Sequence, residues 1–441
     1  MKILYKKRIN SESDKFKALF REITPMEYIL ICVSFLTSLV SIPETISSLS
    51  PSGSLGNTYA FIFVALIFTM FLSLLFLIGI RWRIIYFGIL LIFALGLIIF
   101  IGRPLDYYTT ADRDAAIRVA IEAILNGKNP YKAKTNLGNY PSPLPFTYIL
   151  YLPVYLIFGG RTFFMNIIIL SAFCILLFYK FMDTDQDKFI LPIIAFIIFS
   201  DWYFLETAIN SDVINSGLIL CMILFLIPDE VPKQKKILNF LNIIPENPKN
   251  INKQIIVFAI LFGCLLAMRI FFWLIGIIIA LYILKIYGIR NTIYLALITV
   301  VVFLIWILPF MLMDINHFLN VNPFGLNSDK FSKWRSYDSI HPIGYYSLTF
   351  LKTVLNYGAL NAPIITGIII MISLILGLIN CENKLHLLII ITFCFLLFLF
   401  FYFHGRFYGI LRDYISIAAI PFIFSFLYVN IENKKQDEEF S

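Results

Sequence analysis

Apolar runs of about 20 residues recur along most of this chain, separated by short polar stretches. That is the spacing of helices that cross a bilayer, whose hydrocarbon core takes roughly 20 residues of helix. The runs predict crossing helices at 28–46, 59–80, 83–101, 162–181, 188–206, 213–228, 254–268, 270–287, 292–313, 362–380, 385–403 and 409–430. Helices satisfy their own backbone groups in lipid, so the expected fold is an all-α polytopic membrane protein with about twelve transmembrane helices. Around them the sequence divides into an N-terminal segment (1–27), three first spans (28–101), an outer loop (102–161), a helical core (162–313), a second outer loop (314–361), C-terminal spans (362–430) and a tail (431–441).

Two segments depart from the pattern. Residues 146–159 are apolar but number roughly 14, too few for a span. They follow Pro141, Pro143 and Pro145 and contain Pro153, which predicts a re-entrant or interfacial helix on the outer side. The run 254–287 carries Arg269 in its middle, within LLAMRIFFWL. An arginine at mid-bilayer is costly, so the run predicts two short helices meeting at the outer face.

Charge supplies the orientation. An even number of spans puts both termini on one side, and Lys2, Lys6, Lys7 and Arg8 make that side the cytoplasm. The alternation then places Arg81, Arg83, Lys233, Lys235, Lys236, Lys249 and Lys253 inside, while the outer loops 47–58 and 207–212 hold no Lys or Arg. The expected location is a plasma membrane, multi-pass, with the active site on the extracytoplasmic face. Composition agrees: the chain is 60% hydrophobic and 14% charged, with mean hydropathy +0.85, against about 45–50% apolar and about 25% charged for soluble domains. The net charge of +8 sits in short loops and follows from orientation, not from binding nucleic acid. Six cysteines without a CxxC pair predict neither a disulfide framework nor a zinc site. The first 27 residues are polar and lack an apolar core, so no cleavable signal peptide is expected.

Candidate chemistry concentrates in 103–161, a polar stretch too long to be only a connector. It opens with Asp106, Asp112 and Asp114. Arg113 to Asn126 then has helical periodicity, with Ala116, Ile117, Ala120, Ile121, Ile124 and Leu125 on one stripe. The stripe predicts a helix lying flat on the membrane surface, with Arg118 and Glu122 paired on its other face and Gly127 as its stop. Asp112 reads equally as the N-cap of this helix or as a general base at the membrane boundary, and Asp114 as a favourable charge at the helix start or as that base. Asp212 opens a span and reads as its N-cap, with Asp201 and Glu206 just before it. Arg269 calls for an anion, either a lipid phosphate or a local acid. His341, in the second outer loop, and His404 and Arg406 beside the last span are further contacts for a polar headgroup. No Walker, HExxH, GxSxG or GxGxxG context occurs, which leaves ATP hydrolysis, zincin proteolysis and dinucleotide chemistry unsupported.

The acids, the surface helix, GKNPY, the Pro-rich re-entry and the Gly-x-Arg that follows resemble the multi-spanning GT-C glycosyltransferases. They are most similar to the polyprenol-phosphate-dependent mannosyltransferase-like branch. The residues that carry the resemblance are Asp112, Asp114, Gly127, Asn129, Pro130, Tyr131, Tyr140, Pro141, Pro143, Pro145 and Gly159, then Asp212 and Arg269. Here the acidic loop follows the third span, whereas relatives place it after the first. The resemblance implies inverting transfer of a sugar, mannose or another hexose or pentose, from a polyprenyl-phosphate-linked donor to a lipid-linked or cell-envelope acceptor. It implies Asp112 or Asp114 as the base, with Asp212 orienting or assisting. Arg269 and Arg406 would face the leaving phosphate, with Asp106, Asn129, Tyr131, Tyr140, His341 and His404 around the substrate. It requires no cofactor, and a divalent cation stays open. Two other classes share parts of the pattern. A transporter or flippase of lipid-linked saccharide has a similar span count but would show inverted repeats. An O-antigen ligase or polymerase type of enzyme would place its chemistry in 314–361.

Overall fold

In a computed structural model, the described residues are 113–136, 138, 140–159, 162, 164–181, 212–232, 234–235, 244–245, 247–269, 272–315, 318 and 381–402, with single positions at 32, 190, 193, 194, 197, 420–422, 424, 425 and 428. The chain forms two compact units, Met1–Arg103 with Asp183–Leu205, and Pro104–Met182 with Glu206–Ser441. The elements below all belong to the second.

The described residues are mostly helical: α1 (Arg113–Leu125), a 3-10 turn (Pro130–Lys132), α2 (Pro145–Ile157), α3 (Phe164–Phe181), α4 (Val213–Leu224), α5 (Lys253–Leu266), α6 (Phe272–Met313) and α7 (Lys384–Tyr402). The short strands β1 (Gln234–Lys235) and β2 (Ile244–Pro245) form one antiparallel ladder. Each of these helices lies where an apolar or amphipathic run predicts it. Two of the described helices, Phe164–Phe181 and Ile275–Met313, are long and apolar enough to cross a membrane. Gly288, at φ 74°, breaks α6 into two limbs. The limb after it carries exposed Ile293, Leu297, Val301, Ile305, Leu308 and Leu312, the apolar outer stripe expected of a helix solvated by lipid.

Local chemistry sets the ends. α1 stops in a Schellman turn: Gly127, at φ 65°, donates to Ile124 O at 3.0 Å, and Lys128 N donates to Ala123 O at 2.8 Å. Asn252 caps α5, its side chain accepting from Ile255 N at 3.0 Å. α5 ends at Leu266 and α6 begins at Phe272, so Arg269 occupies a turn between two helices, as the cost of a mid-bilayer arginine predicts. α5 and α6 pack closely enough that a Cβ on Gly263 would lie 2.6 Å from Thr299 O.

Contacts between loops fall into two groups at opposite ends of α4. At one end, Leu144 N and Phe146 N donate to Met268 O and Ala267 O at 2.9 and 3.0 Å, and Thr147 Oγ1 donates to Met268 O at 3.1 Å. At the other, Val231 N donates to Glu382 O and Lys384 N to Asp229 O, while Lys249 N donates to Ile286 O. α2 enters from the Met268 end. After it, α3 starts beside α4's first turn, through Asn166 and Asn215, and reaches Asp229 with Lys180. α2 therefore begins and ends towards one end of the bundle.

The flat surface position expected for α1 needs correction. Ile117, Ala120 and Ile121 have 0% exposure and pack within the protein, against α2 and the 3-10 turn. The stripe is covered by protein, with only its C-terminal Leu125 exposed. The predicted Arg118–Glu122 pair is corrected too: Arg118 Nε lies 2.8 Å from Asp114, and Glu122 accepts from Tyr155 OH at 3.0 Å.

Candidate functional site

Asp212 and Arg269 form the centre of the site. Arg269 Nε donates to Asp212 Oδ2 at 2.7 Å, and Nη2 donates to Oδ1 of the same carboxylate. This two-pronged geometry uses the planar fork of the guanidinium and is the strongest form of such a pair. It is also buried: the side chains are 1% and 14% exposed. Arg269 Nη1 reaches Ser142 Oγ at 3.2 Å, which ties the pair to the Pro-rich entry of α2. The sequence left two anions for Arg269, and the local acid is the one it meets. Asp212 stands at the N-cap position of α4, as the sequence predicts, but its side chain makes no capping hydrogen bond, because both carboxylate oxygens are taken by Arg269. Its carbonyl oxygen instead accepts from Ser216 N at 3.0 Å and Ser216 Oγ at 2.8 Å.

One turn along α4, Asn215 Nδ2 donates to Tyr151 OH and to Asn166 Oδ1, each at 2.5 Å. All three residues are buried and come from α4, α2 and α3. Unpaired amides in such surroundings are expensive, so this knot fixes the three helices around the Asp212–Arg269 pair. Sequence reasoning passed over Asn166 and Asn215, although an asparagine inside an apolar run is itself a signal.

Asp114 lies in the first turn of α1. Its carboxylate pairs with Arg118 at 2.8 Å and accepts from the hydroxyl of Thr162, just ahead of α3. Tyr151 lies within electrostatic reach of both Asp114 and Asp212, so the two acids flank the same part of α2. Asp114 is held by Arg118 and Thr162, and Asp212 by Arg269. Among the described residues no group of three or more His, Cys, Asp and Glu could hold a metal ion.

Asn129 and Tyr131, expected to touch substrate, make contacts within the loop, and the buried Asn129 Nδ2 has no hydrogen-bond partner among the described residues. Asn129 caps the 3-10 turn by accepting from Tyr131 N at 2.9 Å. Tyr131 has 0% exposure. Its hydroxyl and that of Tyr148 both donate to Pro143 O, at 3.1 and 2.7 Å. Burial, and then the neighbouring Tyr148, push the Tyr131 phenol well above its ordinary 10.0, so it stays a donor. GKNPY thus clamps the Pro-rich segment that presents Ser142 to Arg269. Tyr140 is half-buried and lies under Lys134 Nζ, 5.6 Å from the ring centre. The same turn reaches the start of the second predicted outer loop through Lys132–Asp314 at 2.7 Å and Tyr131–Phe318 ring centres at 5.1 Å. Asp106, Asp112, His341, His404 and Arg406 lie outside the described residues.

No protein-family model matches the chain, and no curated protein or solved structure is significantly similar to it.

Proposed function

We propose that this chain is a membrane glycosyltransferase of the GT-C kind, moving a sugar from a polyprenyl-phosphate-linked donor to a lipid-linked or cell-envelope acceptor with inversion. The observation that carries the reading is the buried Asp212–Arg269 pair beside a Pro-rich re-entrant segment. A fixed cation at such a boundary suits a lipid-linked phosphate, whose prenyl chain stays in the bilayer while its head meets protein. In the proposed step the acceptor hydroxyl oxygen attacks the anomeric carbon. The bond from that carbon to the phosphate oxygen breaks, polyprenyl phosphate leaves with the electron pair, and a carboxylate takes the hydroxyl proton. Arg269 stabilises the charge that grows on the phosphate. Asp212 holds the guanidinium in place and is not the base. That role goes to Asp112 or Asp114, and Asp114 would have to release Thr162 or Arg118 to accept a proton.

The reading includes about twelve spans with both termini in the cytoplasm and the site on the opposite face. It is supported by the sorting of loop contacts: segments predicted outside pair with one another (114 with 162, 132 with 314, 142–147 with 267–269, 212 with 269), and so do those predicted inside (229–231 with 382–384, 249 with 286, 285 with 381). The test is turnover of polyprenyl-phosphate-mannose by purified protein in nanodiscs, beside an Asp112→Asn/Asp114→Asn variant. Consumption lost in a folded variant is the expected result. Consumption that survives would remove the base from this loop, and uptake of saccharide lipid without turnover would favour a transporter.

A further inference from the structure

At the opposite end of α4 and of the first limb of α6, some 25 Å from Arg269 at helical rise, lies a second charged cluster that the proposed chemistry does not use. Lys180, in the last turn of α3, and Lys384, the first residue of α7, both pair with one oxygen of Asp229; the Lys180 Nζ distance is 3.5 Å. Two lysines share one carboxylate, which leaves a surplus of basic groups, although burial pulls the Lys384 pKa down to about 7. Lys384 is wholly enclosed, while Lys180 and Asp229 are 26% and 42% exposed. The Tyr428 ring lies 5.3 Å from Lys384 Nζ and 5.8 Å from Lys180 Nζ. Tyr428 is 3% exposed, and its hydroxyl has no hydrogen-bond partner among the described residues, although it lies within electrostatic reach of Asp229. Lys285, on α6, borders the cluster and donates to Cys381 O at 3.0 Å. A solvent-reachable ammonium, a second one behind it and an unspent buried hydroxyl between helices are the donors of a phosphate pocket; basic pockets of this kind at the inner ends of spans take lipid headgroups.

We propose that Lys180, Lys384 and Tyr428 form a phosphate-binding site, with Asp229 as the internal anion that a bound phosphate displaces. The shared chemistry is a phosphate anion, carried either by an anionic lipid headgroup or by free phosphate. The displacement makes an opposite-sign demand on two variants. Asp229→Asn removes the competing anion and tightens binding by about tenfold, the effect of roughly 1.4 kcal/mol, even if it lowers stability. Lys180→Gln abolishes binding, and Lys180→Arg, with Asp229 intact, retains it.

The experiment is a binding titration of purified, monodisperse protein followed by native mass spectrometry and by the shift in melting temperature. One arm adds phosphatidylglycerol against a phosphatidylcholine control, and a second adds inorganic phosphate to protein in neutral detergent. Saturable binding of phosphatidylglycerol alone, with the three variants ordered as stated, supports a lipid headgroup site. The same order with inorganic phosphate supports a site for the free anion. Binding that Lys180→Gln leaves unchanged, no binding in either arm, or weaker binding in a folded Asp229→Asn variant overturns the proposal. Neither arm uses sugar transfer, so the outcome stands apart from the glycosyltransferase reading.

Discussion

At the scale of residues, the Asp212–Arg269 pair behaves as one unit, because each charge is buried and needs the other. Removing one partner leaves an uncompensated buried charge, at a cost of about 3–5 kcal/mol. Arg269→Leu should therefore destabilise strongly, whereas Asp212→Asn/Arg269→Leu together should cost clearly less than the sum of the two single changes. A double-mutant cycle on thermal unfolding measures this, and additive losses would show that the two side chains do not interact. The tyrosine pair on Pro143 O behaves in the opposite sense. Tyr131→Phe and Tyr148→Phe should each cost about 1 kcal/mol or less, since the other hydroxyl still satisfies the carbonyl. The double change strands that acceptor and should cost more than the sum. Sequence reasoning identified Asp212, Arg269 and GKNPY as special, but it could not pair them. Arg269 and Asp212 are brought together only by the turn between α5 and α6, and a phosphate was as good a partner on paper. Tyr131 reads as a binding residue in sequence because nothing local announces that Pro143 O lies above it.

Among elements, the glycines divide by cause. Gly127 sits at φ 65° with nothing within 4 Å of an added Cβ. Gly127→Ala should therefore cost only the left-handed strain, about 1 kcal/mol. Gly263 has ordinary helical backbone but faces Thr299 O at 2.6 Å and Val302 Cβ at 2.9 Å. Gly263→Ala should push α5 off α6 and cost about 1–3 kcal/mol. Melting temperatures of the two variants at one pH check the ranking, and equal losses would contradict the close packing of α5 on α6. Helix positions were legible because apolar length and capping residues are local signals: Gly127 stops α1, and Asn252 starts α5. The surface position of α1 was misjudged because an apolar stripe looks the same whether lipid or another helix covers it. Here α2, itself too short to cross, supplies the cover.

For the whole molecule, the two ends of the bundle carry different chemistry. At the Asp229 end, burial works against the carboxylate, but Lys384 and Lys180 outweigh it and hold its carboxyl below the ordinary 3.8. A group with a depressed folded value stabilises the fold above its unfolded value and loses that contribution as pH falls through the folded one. Stability in detergent should hold from neutral pH to about 4 and then decline as acid protonates Asp229, and Asp229→Asn should flatten that part of the profile. A variant curve parallel to wild type would place the acid sensitivity elsewhere. The positions of the described helices were readable because hydropathy reports apolar runs directly. The association of the early outer loop with the start of the late one, through Lys132–Asp314, was not readable, since residues so far apart in sequence leave no local trace of their contact.

The most direct test of the functional reading is single-turnover transfer from polyprenyl-phosphate-mannose by wild type, Arg269→Gln and Arg269→Lys in nanodiscs, each variant verified as folded. The expected result is transfer by wild type, a loss of about 100-fold or more in Arg269→Gln, as for removal of a preorganised donor to a developing anion, and partial recovery in Arg269→Lys. Equal rates in all three would contradict a role for the buried arginine in stabilising the leaving phosphate.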